Sequence, residues 1–162
     1  MKRNSFFYLC CLLIAAACQT ETEPALKPLD LLQYDIPITI MAPDSAIVKT
    51  MDLGVMKDVS VKKGDDYYIQ IYASEASTND LARVKADQLA EVKKNPYFSK
   101  IIEEEETGFI YEMVYDSLNT YYGFRHIRLQ GDKEFIFQTG LVGMFSLEDA
   151  KQMFEAVKPQ GE

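Results

Sequence analysis

Apolar positions along this chain change period repeatedly, and each change marks an element. Tyr34 to Ala42 and Ala46 to Thr50 are short β-branched runs separated by the turn dipeptide Pro43-Asp44, which predicts an opening hairpin. Asp58 to Lys62 then precedes the turn Gly64-Asp65-Asp66. Beyond it, strict alternation from Tyr67 to Ala73 places Tyr67, Ile69, Ile71 and Ala73 on one side of a strand. The period lengthens after Ser77-Thr78-Asn79-Asp80, which supplies N-cap chemistry and an S-x-x-D box. The good helix formers that follow run to Lys94, before Asn95-Pro96. Leu81, Val84, Leu89 and Val92 share one face of that helix, but Lys85 and Gln88 interrupt the stripe, which predicts a partly wet seam.

Two hairpins follow, and their turns predict registers. Ser99 to Glu106 and Phe109 to Asp116 flank Thr107-Gly108; a two-residue loop there sets Glu106 opposite Phe109, Ile102 opposite Met113 and Glu103 opposite Glu112. Tyr121 to Gln130 and Lys133 to Thr139 flank Gly131-Asp132, a type II′ signal with glycine first. That register sets Arg128 opposite Phe135, Ile127 opposite Ile136 and His126 opposite Phe137. Phe124, Phe135 and Phe137 fall on one face of these strands, Ile127, Leu129 and Ile136 on the other, so both faces need cover. A last helix opens on the S-x-x-D box at Ser146, carries the narrow stripe Leu147, Ala150, Met153, Phe154 and Val157, and stops at Pro159. The pattern predicts an α+β fold with a central, mostly antiparallel sheet of about six or seven strands and two main helices.

The first residues read differently. Lys2-Arg3, an apolar run from Phe6 to Ala17 and the small trio Ala15-Ala16-Ala17 lead to Cys18. Twelve apolar residues at about 1.5 Å of rise each fall well short of the ~30 Å hydrocarbon core, so the segment is read as a processed leader and not as a membrane span. The whole resembles the signal peptide and lipobox of bacterial lipoproteins, with Ala15 where leucine is more usual. That resemblance implies cleavage before Cys18, acylation of Cys18 by diacylglycerol and further palmitate-type chains, and an anchor in a cell-envelope membrane. An ordinary cleaved signal with Cys18 as bystander is the alternative. The polar, proline-bearing stretch QTETEPALKP is expected to be an extended tether. The expected organisation is therefore a signal peptide over 1–17, a lipidated tether over 18–28 and one globular domain over 29–162.

Composition narrows the chemistry. All three cysteines, Cys10, Cys11 and Cys18, lie in the leader or at its end, which excludes disulfide staples, thiol catalysis and cysteine-ligated metal in the domain. The whole chain carries a net charge of −8; losing Lys2 and Arg3 from its 17 basic residues, against 25 acidic ones, takes it to −10. Such a chain is repelled by phosphate-rich surfaces, so nucleic acid is not an expected partner and acyl chains, not electrostatics, must hold it to a membrane.

From Tyr34 to Val157 the order of strands, helix, four meandering strands and terminal helix resembles the PsbP-like and Ran-binding Mog-type family. The segments DIPITIMAPD (Asp35 to Asp44), GFIYEMVYD (Gly108 to Asp116) and FQTGLVGMFSLEDAKQMFEAV (Phe137 to Val157) carry the likeness. It implies an α/β/α sandwich around an antiparallel sheet and weakly favours an assembly or partner-binding role over an enzymatic one.

Three constellations carry possible chemistry. His126, the sole histidine, sits between Arg125 and Arg128 as a general base would beside anion-binding groups. No nucleophile accompanies it, and a structural histidine hydrogen-bonded at the sheet surface is the expected reading. Glu103, Glu105 and Glu112 would share one face and offer oxygen ligands to Ca²⁺ or Mn²⁺, but a solvated strand end guarded by charge is the expected reading. Tyr67, Tyr68, Tyr72, Tyr111, Tyr115, Tyr121 and Tyr122 suit a recognition surface, but cross-strand packing alone explains their placement and is the expected reading. The chain has no G-x-S-x-G elbow, Walker A loop, H-E-x-x-H, EF-hand loop or dinucleotide fingerprint, and no cofactor is implied. The expected function is a non-catalytic, lipid-anchored envelope module that binds an envelope protein partner, with a small-ligand or divalent-metal binder as the alternative and an envelope hydrolase as the third reading.

Overall fold

In the computed structural model, residues 25–159 are described; the leader, Cys18 and the start of the tether lie outside them. The described elements, in chain order, are β1 (Leu26–Asp30), a 3-10 turn (Leu32–Tyr34), β2 (Thr39–Pro43), β3 (Ile47–Asp52), β4 (Met56–Lys63), β5 (Tyr67–Glu75), α1 (Leu81–Lys93), β6 (Phe98–Glu105), β7 (Gly108–Val114), β8 (Thr120–Gln130), β9 (Lys133–Thr139) and α2 (Leu147–Ala156). Seven strands form one sheet in the order β3-β4-β5-β9-β8-β7-β6, every neighbouring pair antiparallel. This is an α+β fold. The strand after α1 lands on the far edge, so α1 crosses the sheet and the meander β6 to β9 runs back to close on β5.

The β8–β9 register is the expected one: His126 faces Phe137, Ile127 faces Ile136 and Arg128 faces Phe135. Gly131 takes φ 62 while Asp132 stays at negative φ, as a type II′ turn requires. Alternation then divides the apolar side chains as expected. Phe124, Phe135 and Phe137 join Ile69, Ile71 and the α2 stripe in the main core, and Ile127 and Ile136 meet Val84 of α1 on the opposite face.

The opening of the chain departs from expectation. Ala46 to Thr50 does not pair with the run before it: β3 pairs with β4, and β2 pairs with β1 in a separate two-stranded sheet. Pro37 interrupts the run from Tyr34, and Ser45, in the left-handed region at φ 61, turns the chain out of one sheet and into the other. Ile40 and Ala42 are buried against the main core, so β2 covers a face of the large sheet and does not extend it. The tether boundary moves as well. Leu26 to Pro28, expected to be extended linker, belong to β1, where Lys27 pairs with Asp44 at 2.9 Å and Pro28 sits on an edge strand that tolerates it.

Each helix start is capped by a side chain. Ser146 makes the full reciprocal box with Asp149, as its sequence predicts, whereas the α1 cap is Asp80 alone, accepting from the Arg83 amide at 3.0 Å. Among the described residues no helix is long and apolar enough to cross a membrane.

Candidate functional site

The β8–β9 ladder ends at the pair Arg125–Gln138. Past it, the Gly140 amide still donates to the Tyr68 carbonyl of β5 (2.8 Å), but the chain bows away from β8 until Phe145 returns to accept from the Tyr122 amide (3.0 Å). A backbone that leaves a ladder at Gln138 and rejoins it seven residues later, at Phe145, leaves a gap in the layer. That gap holds a concavity of about 610 Å³. Tyr111, Met113, Tyr121, Gly123, Arg125 and Gln138 line it from the sheet, Leu141, Met144 and Phe145 from the bowed segment, and Asn95, Tyr115 and Asn119 from neighbouring turns. Its volume lies within the ~300–1,000 Å³ usual for small-molecule sites.

Two glycines make this geometry possible by close approach. A Cβ on Gly123 would lie 2.6 Å from Cζ and Oη of Tyr111, and one on Gly140 would lie 2.2 Å from the Tyr68 ring. Each aromatic ring therefore rests against bare backbone, which draws Tyr111 across β8.

The electrostatics of the concavity are one-sided. Arg125 is its only charged lining residue, and no carboxylate lines it. The Arg125 Nε is buried with no hydrogen-bond partner, Nη1 reaches only the Phe124 carbonyl at 3.5 Å, and none of the ion pairs among the described residues includes it. Beside it, Gln138 donates to Gln70 (3.3 Å), and Gln70 donates to Asp58 (2.9 Å), a polar row running across the sheet in which both amides are nearly fully buried. Burial pushes the neighbouring Tyr72 phenol up; Asp58 reinforces that and Arg125 opposes it.

The mouth is aromatic and apolar. Tyr97 stacks on Tyr115 with ring centres 4.1 Å apart, and Tyr115 meets Tyr121 edge-on at 5.4 Å. The turn that carries Leu118 is held by Asp116, whose carboxylate accepts from the amides of Leu118 and Asn119 and from the Asn119 side chain. Those bonds hold its carboxyl below the usual range. Leu118, Leu141, Val142 and Met144 are all more than 70% exposed, an unusual concentration of bare apolar surface around one opening.

The acidic cluster is not brought together. Glu103 faces Ile110, and the residue facing Glu112 is Lys100, whose ammonium lies 3.7 Å from it. Gly108 is the cause. It is spent inside β7, where a Cβ would lie 2.2 Å from the Arg125 carbonyl oxygen, so the turn slides back to Glu106-Thr107, and two irregularities in β6 shift the rest. The carboxylates then find separate lysines: Glu103 pairs with Lys151 at 3.3 Å, Glu104 with Lys85 at 3.1 Å and Glu105 with Lys158 at 2.8 Å. Among the described residues no group of three His, Cys, Asp or Glu side chains is placed to hold a metal.

His126 also differs from expectation. It is 1% exposed, packed against Phe137 (5.5 Å) and Phe154 (5.9 Å) in the main core, and neither ring nitrogen has a hydrogen-bond partner. Burial, then Arg128 and Lys158, push its pKa down to about 4. Alternation sends its neighbour Arg125 to the opposite face, into the concavity, and Arg128 to the end of α2, where it donates to the Val157 carbonyl at 2.8 Å.

Of the tyrosines, Tyr111, Tyr115, Tyr121 and Tyr122 converge on the concavity, whereas Tyr67 is buried, donating to the Met41 carbonyl. Sequence reasoning missed Arg125 as a site residue in its own right, Gln138, and the Gly140–Phe145 bow. The available signals were the shared β8 face of Tyr121, Gly123 and Arg125, and the apolar pair Leu141-Val142 bracketed by Gly140 and Gly143.

No family model and no curated protein matches the sequence. Among solved structures, a crystal structure of a protein from Bacteroides thetaiotaomicron is similar at 14% identity and a TM-score of 0.38, over 76% of this chain and 45% of that one. This chain thus spans less than half the length of that neighbour.

Proposed function

We propose that this chain is a non-catalytic binding protein of the cell envelope, moored to a membrane by acyl chains on Cys18 and carrying its ligand site in the concavity beside β8. The single observation behind the binding role is that concavity: about 610 Å³, a cation without a counter-ion inside it, and an apolar mouth. The anchor rests on the leader pattern that ends at Cys18. An α/β/α sandwich of PsbP-like type is supported by α1 and α2 lying against opposite faces of an antiparallel sheet. Convergent polar groups inside a concave wall favour a small ligand over a flat protein interface.

A protein partner in the envelope is the second reading, favoured by the exposed Leu118, Leu141, Val142 and Met144 around the mouth. The hydrolase reading needs paired carboxylates in a cleft, and none lines this one.

Two measurements test the proposal. Labelled palmitate should be incorporated by the wild-type chain and not by Cys18→Ala, which should also leave the membrane fraction; incorporation that survives the substitution sinks the anchor. Native mass spectrometry of the chain released from membranes should show a bound small molecule that is absent from Gly123→Leu, whose side chain overlaps the Tyr111 ring that lines the concavity. Identical ligand-free spectra for both would sink the binding role.

A further inference from the structure

The character of the concavity narrows its ligand. We infer that it takes a carboxylate-headed amphiphile of small size, the head on Arg125 and the apolar body along Met113, Leu141, Met144 and Phe145; this rests on the ligand-site reading above.

Four observations lead to that class. Arg125 is part-buried, its Nε lacks any partner and no described carboxylate pairs with it, although the chain is acidic overall and every acidic residue of the β6 strand end has found a lysine. Arg125 lines a concavity, so its guanidinium, without an acid of this chain, is placed to take one from outside, and its planar fork matches a carboxylate in two parallel hydrogen bonds. Arg125 is also the only cation of the lining, so a single negative charge is matched, while a phosphate dianion would meet one cation in a chain of net charge −8. Gln138, directly opposite in the ladder, and Asn95 and Asn119 at the turns supply neutral amides for the remaining oxygen positions. Finally, Met113, Leu141, Met144 and Phe145 give one part of the wall a thioether, aliphatic and aromatic surface, which suits a flexible hydrocarbon body.

The test uses the full chain in phosphatidylcholine nanodiscs, whose lipid is zwitterionic, with octanoate and 1-octanol as probes that share one apolar body and differ in the head. The chain has no tryptophan, so its fluorescence is that of tyrosine, and four tyrosines line the site. Octanoate should change that emission saturably and bind about ten- to a hundred-fold more tightly than octanol, the range of a charge-assisted hydrogen bond. Arg125→Met, which keeps the stem, should abolish the preference for the acid over the alcohol, and Arg125→Lys should restore part of it. Thermal melts of both variants report whether the sheet is intact. Equal affinity for acid and alcohol in the wild-type chain overturns the carboxylate assignment and leaves the concavity as an apolar site. Binding of neither overturns the ligand-site reading with it. Binding of acetyl-dileucine with a free carboxyl end, and not of octanoate, overturns the amphiphile in favour of a peptide terminus.

Discussion

On one face of the sheet, twenty of the described residues, from the segment joining β1 to β2, β2 itself, the sheet, Phe145 and α2 with its C-cap Val157, form a continuous core, rich in phenylalanine; on the other, the buried apolar residues fall into two separate groups of three, around Val84 and around Val92 of α1. The same strands supply both faces, so the difference is not one of strand propensity. What lies between the two small groups is polar: Gln70, Gln138 and Arg125 occupy positions whose counterparts one residue along the strand are Ile69, Phe137 and Phe124. The α2 face holds the fold together, and the α1 face is thereby free to carry buried amides, an unmatched cation and a gap in the layer. Stability is centred on one side of the strands and recognition on the other, with Phe145 and Tyr122 shared, since both line the concavity and pack on the main core.

The strongest way to break that division is to empty the sealed side. Phe154 is fully buried, edge-on to Phe124 at 5.9 Å and to His126 at 5.9 Å, with the Lys158 ammonium 4.6 Å from its ring centre. Phe154→Ala should cost about 3–5 kcal/mol by urea denaturation, from lost transfer energy and the cavity left behind. Val84→Ala, on the α1 side, removes about two methylene equivalents at ~0.8 kcal/mol each and should cost about 1.5 kcal/mol. Equal costs at the two sites would refute the assignment of stability to one face.

A pH experiment sharpens the same contrast, because the sealed face contains a group that cannot be charged cheaply. The His126 pKa is lowered from 6.5 to about 4 by burial, with Arg128 and Lys158 adding to it. Between those values the unfolded chain binds a proton that the native chain refuses. The stabilisation is therefore complete above pH ~6.5 and is lost progressively as pH falls toward 4, by about 3 kcal/mol in all at 1.36 kcal/mol per pKa unit. The difference in stability between wild type and His126→Leu should slope across that window and be flat above it. A flat difference throughout would mean that His126 finds a partner for its proton.

How much of this was legible beforehand depended on the range of the interaction. The Gly131-Asp132 turn and the alternation that follows from it were read correctly because both act within a few residues, and from them came the two-faced sheet and the partners of His126. The Ser146 box was local in the same way. The β6–β7 register was not legible, because Gly108 looked like turn chemistry while its real constraint is the Arg125 carbonyl on the next strand. The partner of β2 was hidden likewise, since nothing within Tyr34–Ala42 says that the stretch before it is a strand. The concavity was least legible of all. It exists where β9 leaves β8, and only the assembled sheet shows which tyrosines and which arginine face the gap.

The smallest effects separate the faces most finely, through the two helix caps. Ser146 satisfies the Asp149 amide at 3.1 Å while Asp149 accepts from the Ser146 amide at 2.9 Å, and the helix they start buries Ala150, Met153, Phe154 and Ala156. Asp80 satisfies one amide, and its helix buries Val84 and Val92. Either cap replaced by alanine loses about 1 kcal/mol of helix stability, but the loss should appear in different observables. A helix seated in the main core cannot unravel without exposing that core, so Ser146→Ala should lower the global unfolding free energy by that amount. α1 can fray alone, because its groups of three are small and separate. Asp80→Ala should therefore speed amide exchange in α1 several-fold, by the factor that about 1 kcal/mol represents, while the slowest-exchanging amides of β5, β8 and β9 keep their rates. If Asp80→Ala instead accelerated those sheet amides as much as Ser146→Ala does, α1 would be part of the same cooperative unit as the core, and the concavity beside it would have to be regarded as equally rigid.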